Sequence, residues 1–216
     1  MAVEAPLRKH RTLMQPTGVS AQSPDQPIIN IWGEKVALGP HRRDLLPLYQ
    51  RWINDFDVTR TLAIPMRPMT HEAEEAWYQR TSQGDRDIAF TIYELATLRP
   101  IGSTGLHAID HLHRIAEFGI LIGEKDCWDK GYGTEVAMLM LDYGFTALSL
   151  HNIMLRAYSF NQRGLRAYTK AGFKVIGRRR EARRFGGQAY DEVLMDCLAS
   201  EFQSPVLHKL LPENRT

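Results

Sequence analysis

The sequence predicts an α/β chain in layers, with one mixed sheet and helices on its faces. Three observations carry this. The apolar period switches between about 3.6 and 2 residues along the chain. Three strand-like runs follow one another between residues 87 and 123, which breaks the strict alternation of a doubly wound fold. Two further strand-like runs close on Gly186-Gly187 near the C-terminus, a hairpin signal.

The elements follow in order. Residues 1–27 hold Pro6, Pro16, Pro24 and Pro27 among Ser, Gln, Thr and Gly, with no apolar period, and read as a flexible arm. "EKVALGP" (34–40) reads as a strand closed by Gly39-Pro40. In "HRRDLLPLYQRWINDFDV" (41–58), Leu45, Leu48, Tyr49, Trp52 and Ile53 recur at helical spacing, and Pro47 falls in the early turns, where a missing N–H costs least. In "PMTHEAEEAWYQRTSQG" (68–84), Thr70 is the expected N-cap, Glu72, Glu74 and Glu75 complement the helix dipole, and Gly84 ends the run. "DIAFTIYEL" (87–95) and "PIGSTGLHAID" (100–110) read as two strands joined by a short turn, and "RIAEFGILIG" (114–123) as a central strand. A loop over 124–130 leads to a helix over 131–148. "HNIMLRAYS" (151–159) is a strand, and "NQRGLRAYTKAG" (161–172) a short helix from Asn161 to Gly172. The hairpin pairs 173–182 with 188–198, and a polar tail or short helix begins near Ser200. One domain over 28–199 is expected, followed by a tail over 200–216.

Composition narrows the function. Of 216 residues, 44% are apolar and 24% charged, with a formal charge of +2, so a soluble globular class is expected and the total does not suggest a nucleic-acid binder. Cys127 and Cys197 stand alone, with no zinc spacing, so no metal is expected, and a reducing cytoplasm fits. No stretch reaches the roughly 18 apolar residues that a membrane span needs, and no apolar region follows the basic N-terminal residues as in a secretory signal.

The stretch "CWDKGYGTEVAMLML" (127–141) carries the first chemical signal. A strand ends, a loop with Gly131 and Gly133 follows, and an apolar helix starts. That order forms a helix-N-terminal anion site, with unpaired N–H groups and the dipole aimed at the ligand. Glycine lets the backbone approach it, and Lys130 adds a full charge. The loop is neither a Walker loop nor a dinucleotide fingerprint, because position 136 is Val136. On its own it equally describes a turn that only reverses the chain.

Three stretches in order, "RIAEFGILIG", "WDKGYGTEV" and "NQRGLRAYTKAGFKVIG", resemble the GNAT superfamily of N-acetyltransferases. Within it they look like the branch of ribosomal-protein N-terminal acetyltransferases and spermidine acetyltransferases, and "WINDFDVTRTL" and "THEAEEAWY" extend the likeness upstream. The second stretch looks like the family's pyrophosphate loop, although its first position is Trp128. The third looks like the Asn–Tyr–Gly-Phe block, with Gly164 where Ser or Ala is usual. The resemblance implies a mostly antiparallel sheet of six to seven strands with splayed central parallel strands, acetyl-CoA as donor, and an amine as acceptor. It implies a pyrophosphate cradle at Trp128, Asp129, Lys130, Gly131, Tyr132, Gly133 and Thr134. Backbone groups near Phe118, Ile120 and Ile122 would meet the pantetheine arm, with Asn161, Arg163 and Gly164 beside it.

Transfer to an amine needs a neutral nucleophile and a proton or hydrogen bond for the leaving thiolate. Tyr168 matches the family's tyrosine that faces the sulfur; with a reference pKa of about 10 it can donate. Glu117 interrupts an apolar strand and is either the base or an ion-pair partner of Arg114 or Arg156; water is another route for the proton. His107, His111 and His113 read as solvated loop histidines, and Cys127 as packing. Asp55, Asp57, Glu72, Glu74 and Glu75 could line an acidic acceptor groove and equally describe ordinary surface charge.

The acceptor can be a protein or peptide N-terminus, a polyamine or an amine-bearing small molecule. A non-catalytic CoA-binding regulatory module is the competing class. A nucleic-acid or ribosome binder using "GRRREARRF" (177–185) is a third, which the low net charge opposes; that run could also serve the 3′-phosphate or be a solvated hairpin. Enzymes that look like this range from monomers to rings, so a homo-oligomer is open.

Overall fold

A computed structural model describes residues 26–64 and 66–210. The arm expected over 1–27 lies almost wholly outside the described residues. Eight strands form one sheet: β1 (Ile31–Trp32), β2 (Val36–Pro40), β3 (Ile88–Glu94), β4 (Pro100–Asp110), β5 (Ile115–Ile122), β6 (Asn152–Tyr158), β7 (Lys174–Phe185) and β8 (Gln188–Leu198). Their spatial order is β1-β2-β3-β4-β5-β6-β8-β7. The count exceeds the expected six to seven because the two residues of β1 pair with Ala37 and Leu38, a run too short to show a period.

Every neighbouring pair is antiparallel except β5 and β6. That parallel pair holds only at Ile115–Asn152, Ala116–Ile153 and Glu117–Met154. Beyond Glu117 the strands part. Gly123 N–H donates to Ile101 O at 2.9 Å, which fixes the alternation along β5. Even-numbered residues therefore face away from β4: the last bridge, Glu117–Met154, uses the Phe118 N–H, and beyond it the Phe118 C=O, both groups of Ile120 and the Ile122 N–H face the opened gap, where no strand pairs with them.

The helices are α1 (Leu46–Ile53), α2 (Phe56–Thr59), α3 (His71–Gln83), α4 (Tyr132–Asp142) and α5 (Gln162–Ala171). The expected single helix over 41–58 is broken into α1 and α2. Asn54 sends its amide to Gln50 O and Met69 O at 2.8 and 3.0 Å, while Asp55 caps α2 by accepting from Asp57 N–H at 2.9 Å. Those side-chain bonds outcompete helix continuation. The other caps fall where the sequence puts them: Thr70 Oγ1 accepts from Ala73 N–H at 3.2 Å, Asn161 Oδ1 from Gly164 N–H at 3.0 Å, and Gly172 ends α5 at φ 114°. The α4 run widens into a π-turn at Tyr143–Ala147.

Two cores lie on opposite faces of the sheet. One packs Val136, Ala137, Leu139, Met140 and Leu141 of α4 against Leu106, Phe118, Ile153 and Phe173. The other is built by Leu46, Tyr49 and Trp52 of α1 with Tyr78 and Leu121. The chain after β8 returns to the first core. There the carboxylate of fully buried Asp142 accepts from Val206 N–H at 2.9 Å and Leu207 N–H at 2.8 Å. No described helix is long and apolar enough to cross a membrane.

Candidate active site

Two cavities flank the splay. The first, about 250 Å³, lies between the end of β5, the start of α4 and the side of α5. The second, about 500 Å³, lies on the α1/α3 face. Leu62, Ile120 and Leu121 line both.

The first cavity gathers most of the residues expected for a cofactor: Ile120, Ile122, Trp128, Asp129, Gly131, Tyr132, Gly133, Thr134, Asn161, Arg163, Gly164 and Tyr168. Phe118 does not line it. Its ring is buried against Phe173 at 5.8 Å, so only its backbone faces the gap. Lys130 does not line it either and is exposed.

The loop has a physical reason for each position. Gly131 is the N-cap of α4 at φ 83°, a conformation that an L side chain resists. A Cβ on Gly133 would meet no protein atom within 4 Å, so the helix start opens on free space. Trp128, the departure from the family pattern, ties the loop down. Its indole N–H donates to Ile122 O at 2.9 Å, and the Arg163 guanidinium lies 4.0 Å above its ring. The Tyr132 hydroxyl donates to Glu94 at 2.9 Å, so this residue offers the cavity its backbone while its side chain braces β3. At the Gly164 departure, a Cβ would collide with the Asn161 side chain that caps α5. Asn161 spends Oδ1 on that cap, and its NH₂ group makes no hydrogen bond among the described residues.

These features fit a CoA molecule: a helix N-terminus open to an anion, an unpaired strand edge for amide groups, and basic side chains alongside. The basic groups include three that the sequence reading passed over. Arg166 and Lys170 line the cavity together with Arg163, and their spacing of three and four on α5 was visible in the sequence. Lys35 reaches Gly131 from the β1–β2 turn, with Nζ 3.2 Å from where a Cβ would stand; nothing in the sequence signals a contact across almost a hundred residues. Replacing Gly131 by Ala forces the loop out of its left-handed turn at a cost of about 1 kcal/mol. CoA affinity should fall several-fold by calorimetry; unchanged affinity would show that the loop does not touch the ligand.

Tyr168 projects from α5 into the first cavity and packs edge-on to Phe118 and Phe173 at 6.2 and 6.3 Å. Its hydroxyl has no hydrogen bond among the described residues, and burial pushes it up to about 12. It is therefore a protonated donor without a partner.

Glu117 stands in the second cavity, apart from Tyr168's side. Arg156 grips it through two bonds, Nε to Oε1 at 2.7 Å and Nη2 to Oε2 at 3.2 Å. Directly opposite on β4, His107 also lines this cavity. Its Nδ1 meets Asp87 at 3.1 Å, and its Nε2 lies over the paired Gly105 and Gly119, 3.2 and 3.1 Å from where their Cβ atoms would be. No local rule pairs His107 with Asp87, which lies twenty residues away. Of the five acids weighed for a groove, only Glu74 enters the cavity. Asp55 and Asp57 hold Lys125, and Glu75 holds Arg43. Cys127 is buried, and burial raises its thiol, as packing requires. In the arginine hairpin, Arg178 and Arg179 pair with Asp191 and Glu192, and Arg183 lies over Tyr158.

Comparisons with known proteins agree with this geometry. The sequence profile described as an acetyltransferase (GNAT) domain matches residues 36–174. The spermidine N(1)-acetyltransferase of Escherichia coli (strain K12) is 36% identical over 115 residues, 53% of this chain and 57% of that protein. The chain thus spans little more than half the length of this relative. The human alpha/beta-tubulin-N-acetyltransferase 9 is 27% identical over 157 residues, 67% of this chain and 74% of that protein. Among solved structures, the spermidine N-acetyltransferase of Vibrio cholerae in complex with CoA and spermine superposes with a TM-score of 0.72 at 24% identity. That likeness covers 77% of this chain and 97% of the other, and it establishes the fold.

Proposed function

The chain belongs to the GNAT acetyltransferase family, and on that premise we propose that it moves an acetyl group from acetyl-CoA directly to a primary amine. The reading is carried by one observation: Leu62, Ile120 and Leu121 wall both cavities, with the unpartnered Tyr168 hydroxyl in the first. Acetyl-CoA supplies the activated thioester. The α4 amides at Tyr132, Gly133 and Thr134 face the pyrophosphate position, and Arg163, Arg166 and Lys170 supply positive charge beside it. The Phe118 C=O, both backbone groups of Ile120 and the Ile122 N–H offer the strand edge on which amide groups are held and oriented. Tyr168 Oη holds the proton that the departing sulfur takes. The catalytic unit proposed is 28–199, and the relatives' names support spermidine or a protein such as tubulin as acceptor classes to include in any panel.

The test is incubation with acetyl-CoA and a panel of peptides, polyamines and small amines, following free thiol. Release that depends on the amine is expected. CoA binding without turnover on any amine would instead support a non-catalytic CoA-binding module.

Two side chains of the β4–β5 floor line the amine cavity and can take a proton. Glu117 has both oxygens engaged by Arg156, whereas His107 has a free Nε2 and an oriented Nδ1. His107→Gln is expected to lower kcat about 10²-fold with little change in CoA affinity. Native kcat in that variant, and a comparable loss in Glu117→Gln, would transfer the role to the carboxylate.

A further inference from the structure

Glu74 is a carboxylate with no partner inside the second cavity. It sits on α3 at 5% exposure and lines the space, yet its side chain makes no hydrogen bond or ion pair among the described residues. Burial alone raises its carboxyl above the ordinary value. A carboxylate withdrawn from water and left unpaired is costly, and a bound cation offsets that cost. The walls around it are Tyr49, Trp52, Trp77 and Met69. Aromatic faces attract an ammonium and also pack a flat apolar body.

The remaining charges of the cavity decide how many ammonium groups it can hold. Glu117 is closed by Arg156. His107 is paired with Asp87. His41, behind Ser103 and Trp77, is pushed down to about 4 by burial and so is neutral near pH 7. Arg67 adds a positive group at the exposed rim. One carboxylate is therefore free, the His107 Nε2 is left for the amine that reacts, and a second ammonium would meet Arg67 or the closed Glu117–Arg156 pair.

We infer that the cavity takes a primary amine of single charge on an aromatic or apolar body, recognised by Glu74, in preference to a polyamine. The inference rests on the acetyltransferase reading for its biological meaning, but its test reads binding and not turnover. Calorimetry on the full chain saturated with CoA would use three probes: phenethylamine, its uncharged analogue 2-phenylethanol, and spermidine. Phenethylamine should bind at least tenfold more tightly than spermidine. Glu74→Gln, close in shape to the native side chain, should weaken phenethylamine at least tenfold and leave 2-phenylethanol and CoA unchanged. Spermidine binding as tightly as phenethylamine in the native protein would overturn the inference, and that comparison needs no variant. So would a Glu74→Gln protein with the native melting temperature and undiminished phenethylamine affinity. Absence of thiol release with every amine would remove the transferase reading and leave this binding test standing.

Discussion

Replacing Tyr168 by Phe should lower kcat about 10²-fold with little change in CoA affinity. The ring's packing against Phe118 and Phe173 is preserved in the variant, so the cavity keeps its shape. Only the hydroxyl is lost, and that hydroxyl has no structural bond to break. Its pH behaviour follows from burial. A phenol held at about 12 is protonated throughout the neutral and mildly alkaline range, and the donor disappears only as pH rises towards that value. No alkaline fall in kcat below about pH 11 should therefore depend on Tyr168. Single-turnover kinetics with acetyl-CoA in excess measure the step directly. An unchanged rate in the Phe variant would remove Tyr168 from proton transfer.

The largest stability loss is expected at Asp142. Its side chain is fully buried, Oδ2 accepts from the N–H groups of Val206 and Leu207, and Oδ1 accepts from Thr146 Oγ1 at 2.9 Å. Asp142→Ala strands two backbone donors and a hydroxyl in the first core, a cost of about 3 kcal/mol. Asp142→Asn keeps an acceptor and should cost less. Chemical denaturation monitored by circular dichroism checks both, and an Ala variant within about 0.5 kcal/mol of native would mean that the tail does not dock through this residue. The effect would reach the site only indirectly, because α4 carries the anion-facing amides at its other end.

The fold was legible wherever a local rule decided. Thr70, Asn161 and Gly172 marked helix ends because capping needs only neighbours in sequence. Gly186 and Gly187 marked the hairpin because both take positive φ, at 57° and 80°. The helix over 41–58 failed because its break depends on Met69, which supplies the acceptor for Asn54 from a separate segment. The donor half of the site was legible for the same local reason, since the 127–134 loop and the start of α5 are each contiguous. The acceptor half was not. A glutamate in a first helical turn looks the same whether it faces solvent, like Glu72, or an aromatic cavity, like Glu74. Which one turns inward is set by how α3 packs over the sheet.

Trp52 gives these two halves a common optical handle. Its ring occupies the space that a Cβ on Gly123 would need, and its indole N–H donates to Glu124 at 2.8 Å, just ahead of the cofactor loop. The same ring walls the amine cavity beside Trp77, while Trp128 lines the donor cavity. Of the four tryptophans in the chain, three thus stand at ligand positions, and Trp32 is exposed on the edge strand. Intrinsic fluorescence should therefore divide by ligand without any added label: a Trp128 response is expected with CoA, and Trp77 and Trp52 responses with the amine. Binding order becomes readable in a stopped-flow trace from single Trp→Phe proteins.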